Sequence, residues 1–381
     1  MTHVLVLGGG FGGVAAAHEL RHRLSSGDEV TVVASSDRFF AGFAKLWELA
    51  GLRPLSQGTR RLERLTGYGI RFVQAEITAI DPTARAVETT AGALSGDGLV
   101  VALGAGFQPA HTALLGAGAY NLYDAAELPQ MRKVLSDLTE GRLLVSILGV
   151  PYLCPPAPFE AALLLEEGLR VRGLRDRVEV TVTTPQPLTL PVAGPDASRY
   201  LADRLAERGV TVLTEHQVES VVPDTRTVRF SGGQTLDWKV MLGVPAAAPP
   251  PVVAASPLAG PSGWIQPDRY TFATSVDRVY AIGDCTLIPT ATAQLPKAAV
   301  FAEAAGKVAA VNLAADLHGG DHATFDGHGF CFLELPGKQV ATVTGDFYAE
   351  PRPAVRLEPA DGDSYRAKRQ WEQERLAGWL G

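Results

Sequence analysis

The chain has 381 residues, and 34 Lys and Arg against 41 Asp and Glu give it a net charge of −7. That length exceeds one ordinary hydrophobic core, so two or three packed domains are expected. The negative charge argues against a nucleic acid partner, which would require a basic face. Three cysteines are too few for a disulfide framework, so any cysteine chemistry should be local and reactive.

Targeting and membrane signals are weak in this sequence. The N-terminus runs directly into an apolar segment at residues 4–7, which leaves no room for the parts of a signal peptide. The most apolar stretch, residues 143–165, contains four prolines and a glutamate, whereas a membrane-spanning helix needs about 20 uninterrupted apolar residues. A cytoplasmic location is therefore expected, with peripheral contact at the inner membrane face left open.

Strand and helix patterns alternate through the first hundred residues, which predicts βαβ connections and a parallel sheet. A turn signal, Asp81-Pro82-Thr83, separates two of the β-type runs. The predicted elements are strands at residues 4–7, 30–33, 70–80, 85–89 and 99–103 and a helix at residues 11–24.

The alternation restarts near residue 143, which indicates a second Rossmann-like unit. A proline-rich stretch at residues 244–261 follows it and marks a loop or domain boundary. The tail from residue 325 has β-type runs and then a charged helix. The predicted elements are strands at residues 143–148, 178–182, 210–213 and 279–282 and helices at residues 157–171, 197–207, 297–317 and about 364–380.

Gly8, Gly10 and Gly13 form a G-x-G-x-x-G motif between the first strand and the first helix. The first glycine allows a tight turn, the second lets the backbone approach a pyrophosphate, and the third lets helix and strand pack closely. The phosphates would lie on unpaired N–H groups at the helix N-terminus. After the second strand, where an acidic ribose ligand is usual, Ser35 is the candidate and Asp37 the alternative.

Two later strands end in residues suited to a flavin nucleotide. The strand that ends at Ala102-Leu103-Gly104 allows close approach by an adenosine diphosphate. The strand that ends at Gly283-Asp284 supplies a carboxylate that can accept a hydrogen bond from a ribityl hydroxyl. Together with the glycine motif, these segments favour FAD over NAD.

The order of these three segments resembles the FAD oxidoreductases with two dinucleotide-binding domains. That superfamily includes type II NADH dehydrogenases, sulfide:quinone oxidoreductases and the flavoprotein of flavocytochrome c sulfide dehydrogenase. The resemblance covers nearly the whole chain. It implies that FAD is held at Gly8, Gly10, Phe11, Gly12, Gly13, Ser35, Ala102, Gly104, Gly283, Asp284 and Lys297.

The resemblance also implies an α/β fold with two Rossmann-like domains, each built in three layers around a parallel sheet, and a small C-terminal α+β segment. We expect a discontinuous FAD-binding domain at residues 1–108 and 243–322. The second Rossmann-like domain should span residues 109–242. Residues 323–381 should form an interface or membrane-facing segment.

The first strand–helix turn of the second unit lacks a phosphate-binding glycine motif. Gly149 is the only glycine in residues 149–160, and prolines stand where N–H groups would face a phosphate. NADH binding is therefore not expected. Cys154 instead precedes Pro155 and Pro156, which suit a first helical turn, and the helix dipole should lower its thiol pKa.

The segment Cys154-Pro155-Pro156-Ala157-Pro158 resembles the one that carries the first active cysteine of sulfide:quinone oxidoreductases and sulfide dehydrogenases. That family has a second active cysteine late in the chain, and Cys331 is at the matching position. The resemblance implies that both thiols take up sulfur beside the flavin and build a persulfide or polysulfide. Cys285 is expected to have no catalytic duty. No cysteine lies at residues 39–46, so the FAD should be non-covalent.

Four further residues have two interpretations each. Lys297 resembles the family residue beside the flavin pyrimidine, where a cation could stabilise the reduced ring, but it could also be a surface lysine. Glu160 could relay protons or be solvated. Phe330 and Phe332 could line a quinone slot or belong to the core.

The first functional interpretation is an enzyme that oxidises sulfide, or a small sulfur donor, and passes the electrons through FAD to quinone. The alternatives are a type II NADH:quinone oxidoreductase and a flavin-bearing redox sensor without turnover. The charged C-terminal helix resembles in position the family's membrane-binding tail, and contact with a second subunit, as in a homodimer, is equally compatible. No metal site is expected.

Overall fold

The computed structural model describes residues 1–116, 118–291 and 293–381. Its first unit is built around a five-stranded parallel sheet. The central strand, His3–Leu7, has Val4, Leu5, Val6 and Leu7 fully buried because both faces of the sheet are covered. In spatial order the strands are Val279–Ala281, Gly98–Val101, His3–Leu7, Glu29–Ala34 and Arg71–Gln74.

Two helices, Phe11–Arg23 and Ala299–His318, cover one face of this sheet and pack closely against each other. Glycines allow the close approach, because a Cβ on Gly306 would lie 2.4 Å from the carbonyl oxygen of Gly12. The other face carries a three-stranded antiparallel sheet and a short helix. These elements are Ile77–Asp81, Ala86–Thr89, Leu94–Ser95 and Pro251–Ala254.

The second unit repeats this architecture around another five-stranded parallel sheet. Helices pack on one face and a three-stranded antiparallel sheet covers the other. The parallel strands, in spatial order, are Ala119–Asn121, Val240–Val244, Gly141–Ile147, Val178–Thr183 and Thr211–Leu213. The covering elements are the helices Leu128–Asp137, Ala157–Val171 and Gly194–Glu207 and the strands Val218–Val222, Thr227–Phe230 and Thr235–Asp237.

The strand Val240–Val244 belongs to the second sheet, so the boundary expected between residues 242 and 243 falls inside it. We propose the domain division given above with this boundary moved to the end of the strand. The smaller elements are the strands Arg38–Phe39, Arg60–Arg61, Gly106–Phe107 and Ala247–Ala248 and the helices Ala44–Leu49 and Pro109–Thr112. The helix Pro251–Ala254 lies within the stretch that the sequence assigned to a loop.

The C-terminal segment is a three-stranded antiparallel sheet followed by a helix. The strands are His328–Leu335, Gln339–Asp346 and Ala354–Asp361, and the helix is Gly362–Leu380. Trp371 stacks on Phe11 with ring centres 5.2 Å apart, and Leu376 and Leu380 are buried in the core of the first unit. These three apolar residues of the helix that resembles the family's membrane-binding tail are therefore covered by the chain itself.

In the described part of the chain, no helix is both long and apolar enough to span a bilayer. The predicted fold class is confirmed, and the helix at residues 157–171 begins and ends where the sequence placed it. The predicted strand at residues 70–80 was wrong in one respect, because it is two strands. At Ala75 the chain leaves the parallel sheet, and Ile77–Asp81 pairs instead with Ala86–Thr89.

Candidate active site

An elongated cleft lies at the carboxyl ends of the first sheet's strands, the edge where open α/β sheets bind ligands. It consists of two adjoining cavities of about 490 Å³ and about 320 Å³. The larger one contains Ser35, and the smaller one contains both Cys154 and Cys331. The residues that line both cavities are Gly10, Phe11, Phe40, Ala102 and Gly104.

The three motif glycines differ in what a larger side chain would meet at each position. Gly8 has φ of +117°, and a Cβ there would lie 2.1 Å from the Ala102 carbonyl oxygen. A Cβ on Gly13 would lie 1.9 Å from the carbonyl oxygen of Gly8. Gly10 has open space around its Cβ direction and ordinary extended φ and ψ. Gly8 and Gly13 are therefore required by the fold, whereas Gly10 keeps the cleft open.

Polar side chains gather in the larger cavity at the end of the strand Glu29–Ala34. Ser35, the candidate ribose contact, lines it together with Arg38 and Glu76. Asp37, the alternative ribose ligand, instead pairs with Arg61 at 3.3 Å. Glu76 lies where the chain changes from one sheet to the next, a position that the sequence did not mark.

Asp284 and Lys297 lie together in the smaller cavity. The Lys297 ammonium donates to the carbonyl oxygens of Asp284 at 2.7 Å and Thr286 at 2.8 Å, and it lies 3.7 Å from the Trp264 ring centre. The surface-lysine interpretation is therefore wrong. Burial lowers the pKa of Lys297 to about 8, and burial raises the pKa of Asp284 although Lys297 opposes the shift. No donor among the described residues hydrogen-bonds to the Asp284 carboxylate, which leaves it free for a ligand hydroxyl.

The two cysteines that the sequence singled out line the same small cavity. Cys154 is held in a left-handed conformation (φ of +46°) by hydrogen bonds from its N–H to the Lys297 carbonyl at 3.1 Å and from the Ala157 N–H to its own carbonyl at 2.9 Å. Cys331 lies on the strand His328–Leu335, and its aromatic neighbours also line the cavity. Both thiols are free and partly buried.

The expectation of a lowered pKa for Cys154 was wrong. Burial raises the pKa of this thiol strongly, and the nearby Glu160 carboxylate and Cys331 thiol add to the effect. Burial also raises the pKa of Cys331 to about 12. The helix begins three residues after Cys154, at Ala157. The reduced thiols are therefore protonated near neutral pH.

Cys285 has a different environment from the other two cysteines. It is fully buried, and its thiol donates to the carbonyl oxygen of Ile282 at 3.2 Å. It is not among the residues that line the cavity. This placement agrees with the expectation of an inert cysteine.

A buried ion network supports the cysteine side of the cavity. The Lys368 ammonium donates to Glu160 at 3.0 Å and to Glu334 at 2.8 Å, and each of these three side chains is at most 2% exposed. Glu334 also accepts from the Trp47 indole at 2.8 Å. Glu160 is thus not the solvated residue that the sequence allowed. Burial raises its pKa, and the two carboxylates keep the pKa of Lys368 high against burial.

We expect Lys368→Met to destabilise the protein by about 3–5 kcal/mol, because it leaves two buried carboxylates without their cation. Urea unfolding followed by far-UV circular dichroism would measure the loss. Lys307→Met is the matched control. Lys307 is half-exposed and pairs with Glu303 one helical turn away, so its loss should cost about 0.5 kcal/mol or less. Equal losses in the two variants would contradict the network.

Sequence reasoning missed Lys45 and Tyr123, which line the cavity near Cys154. The Lys45 ammonium donates to the Tyr123 carbonyl, and the Tyr123 hydroxyl donates to the Leu153 carbonyl at 2.6 Å. Their only sequence signal was a lysine inside the apolar segment Ala44–Leu49.

The strand–helix turn of the second unit packs against its own chain. A Cβ on Gly149 would lie 2.3 Å from a ring carbon of His111, so the imidazole lies against the only glycine of the turn. The His111 ring is fixed by the Ala246 N–H at 3.1 Å, and the Ala247 N–H donates to the Pro151 carbonyl at 2.7 Å. The turn is thus covered by its own chain at Gly149 and at Pro151.

Comparison with known proteins supports this architecture. The chain is 28% identical over 302 residues to the mitochondrial sulfide:quinone oxidoreductase of Mus musculus, an alignment that covers 75% of this chain and 66% of the mouse protein. It is 27% identical over 310 residues to the sulfide-quinone reductase of Aquifex aeolicus, covering 75% of this chain and 69% of that protein. The crystal structure of the sulfide:quinone oxidoreductase from Aquifex aeolicus superposes with a TM-score of 0.88 at 24% identity, over 99% of this chain and 91% of that one.

The chain therefore spans slightly less than two thirds of the mouse protein. Its fold agrees with that of the Aquifex aeolicus structure over almost the full length of this chain. A family model described as pyridine nucleotide-disulphide oxidoreductase matches residues 2–306, which include the glycine motif, Asp284 and Cys154. That match covers well over half of the chain. The protein belongs to the pyridine nucleotide-disulphide oxidoreductase family.

Proposed function

We propose that this protein is an FAD-dependent oxidoreductase that oxidises sulfide, or a small sulfur donor, at Cys154 and Cys331 and passes the electrons to quinone. The observation that carries the proposal is that these two cysteines, distant in sequence, line one cavity together with Asp284 and Lys297. The names of the relatives supply the substrate and acceptor classes.

The cleft fits FAD in shape and chemistry. Gly10 leaves space where a pyrophosphate would pass between the two cavities, and the Asp284 carboxylate is available to a ribityl hydroxyl. Ser35 faces the ribose end, and Lys297 places a cation at the flavin end. Bound there, FAD supplies a two-electron acceptor beside the cysteines. We propose that it is non-covalent, because residues 39–46 contain no cysteine.

The two cysteines can take up sulfur by disulfide exchange. In the oxidised protein the two cysteines share a disulfide, and a hydrosulfide anion attacks one of its sulfurs. A new S–S bond forms, the cysteine–cysteine bond breaks, and the other cysteine leaves as a thiolate. Joining the persulfide to that thiolate then gives a three-sulfur bridge, one proton and two electrons. Glu160 lines the same cavity and can take the proton.

The acceptor side of the proposal rests on an aromatic wall. Phe330 and Phe332 stand with ring centres 5.1 Å apart, and both line the cavity with Phe43. Flat aromatic faces of this kind stack on planar rings, so this wall suits the head group of a quinone. A quinone held there would accept two electrons and two protons to become a quinol.

Anaerobic mixing with sulfide or with NADH tests the proposal. We expect sulfide to bleach the flavin absorbance rapidly, and NADH to bleach it slowly and without saturation, because His111 packs against Gly149 in the second unit. Stopped-flow absorbance measures both, and dithionite serves as the control that the flavin is reducible. Saturable reduction by micromolar NADH would instead favour a type II NADH:quinone oxidoreductase. Absence of turnover with sulfide and quinone would favour the redox sensor.

A further inference from the structure

A cation near Cys154 has no part in the chemistry proposed above. Lys45 lies on the short helix Ala44–Leu49 and lines the cavity with Cys154 and Tyr123. Its ammonium donates to the Tyr123 carbonyl and lies 5.6 Å from the centre of the Tyr123 ring. Tyr123 is itself fixed to the cysteine loop through its bond to the Leu153 carbonyl. These contacts fix the ammonium in the cavity, within electrostatic range of the Cys154 thiol.

The Lys45 ammonium has N–H groups that no described residue accepts. It has three N–H groups, and the Tyr123 carbonyl is its one hydrogen-bond acceptor in the described part of the chain. Within the same residues no carboxylate lies at ion-pair distance from it, although Asp124 and Cys154 act on it at longer range. Burial accordingly lowers the pKa of Lys45 to about 8. An incompletely paired cation is costly to bury, and an anion entering the cavity would offset that cost.

The charges of the other ionisable side chains around the cavity also favour an anion near Lys45. With every group in its charged form, Asp284, Glu160 and Glu334 together carry one more negative charge than Lys297 and Lys368 carry positive charge. A cavity with that excess repels anions in a medium of low dielectric constant. Lys45 is the third lysine that lines the cavity, and its positive charge offsets the excess negative charge on the side of the cavity where Cys154 lies.

We propose that Lys45 is a binding subsite for small sulfur anions, hydrosulfide above all, beside the sulfur of Cys154. This inference rests on the proposed function and adds the charge state of the donor and the residue that receives it. When hydrosulfide attacks the disulfide, the negative charge passes from the donor to the leaving thiolate. The cavity keeps the same total charge, so the ammonium stabilises the anion before and after the new S–S bond forms.

The first test measures flavin reduction by sulfide in FAD-loaded variants. Lys45→Met and Lys45→Gln remove the charge, and Lys45→Arg keeps it. A lost charge-assisted hydrogen bond should lower the second-order rate constant by about tenfold or more in the two neutral variants. Lys45→Arg should recover most of the rate. Lys133→Met, at an exposed lysine that pairs with Asp137, is the matched control and should be unchanged.

The second test does not depend on sulfide. Reduced protein is alkylated with iodoacetate, which is anionic, or with iodoacetamide, which is neutral, and modification of Cys154 is followed by peptide mass spectrometry. The ratio of the iodoacetate rate to the iodoacetamide rate should fall about tenfold in the neutral variants and stay at the wild-type value in Lys45→Arg and Lys133→Met.

The two tests separate this inference from the proposed function. A purely structural lysine would change both alkylation rates in proportion, so an unchanged ratio in Lys45→Met and Lys45→Gln would overturn the anion subsite. If sulfide fails to reduce the wild-type flavin, the proposed function is wrong, and the alkylation ratio still decides whether Lys45 attracts anions to Cys154.

Discussion

Replacing Cys154 or Cys331 by serine should stop flavin reduction by sulfide while leaving FAD bound. The expected loss is about a thousandfold or more, the scale seen when a reacting nucleophile is removed. A serine hydroxyl has nearly the size of the thiol but cannot form a bond to sulfane sulfur. FAD should remain bound, because the backbone bond from Cys154 to the Lys297 carbonyl does not involve the thiol. Stopped-flow absorbance gives the rate, and the visible spectrum gives the flavin content.

Cys285→Ser is the matched control for both variants. Cys285 lies outside the cavity wall, and a serine hydroxyl can keep its hydrogen bond to the Ile282 carbonyl. Its rate of flavin reduction should therefore equal that of the wild type. Equal rates in all three serine variants would show that neither cavity cysteine takes part in the reaction.

Short sequence motifs predicted the parts of the site that depend on close steric contacts of the motif residues themselves. Gly8 and Gly13 meet the backbone within a few residues of the motif or on the adjacent strand, so their spacing alone implies the turn. The helix Ala157–Val171 follows two prolines suited to a first helical turn, and its start was predicted correctly. The break at Ala75 was missed, because the β-type pattern continues while the partner strand changes.

Contacts between distant segments account for what the sequence could not predict. Glu160 and Lys368 are 208 residues apart, so the local pattern around either residue gives no sign of their ion pair. Glu372 on the C-terminal helix is likewise paired at 2.6 Å with Arg53, which is 319 residues away in sequence. The pKa of Cys154 was misjudged for the same reason. The helix dipole is visible in the local sequence, but burial and the Glu160 carboxylate are not.

Gly10→Val should abolish FAD binding without unfolding the protein. Gly10 has φ of −84° and ψ of −170°, which any residue adopts, and its Cβ direction is open. The added side chain would therefore enter the cleft at the point shared by the two cavities, where the pyrophosphate is proposed to pass. The purified variant should be colourless and have the far-UV circular dichroism of the wild type.

Two glycines serve as controls for this variant. Gly27 is exposed with open space around it, so Gly27→Val should retain the flavin. Gly13→Val should fail to fold, because its Cβ would lie 1.9 Å from the Gly8 carbonyl oxygen. Acid precipitation of the wild type should release fluorescent FAD into the supernatant, as expected for a non-covalent cofactor, and Gly10→Val should release none. A folded Gly10→Val protein with a full complement of FAD would show that the phosphates do not lie on the glycine loop.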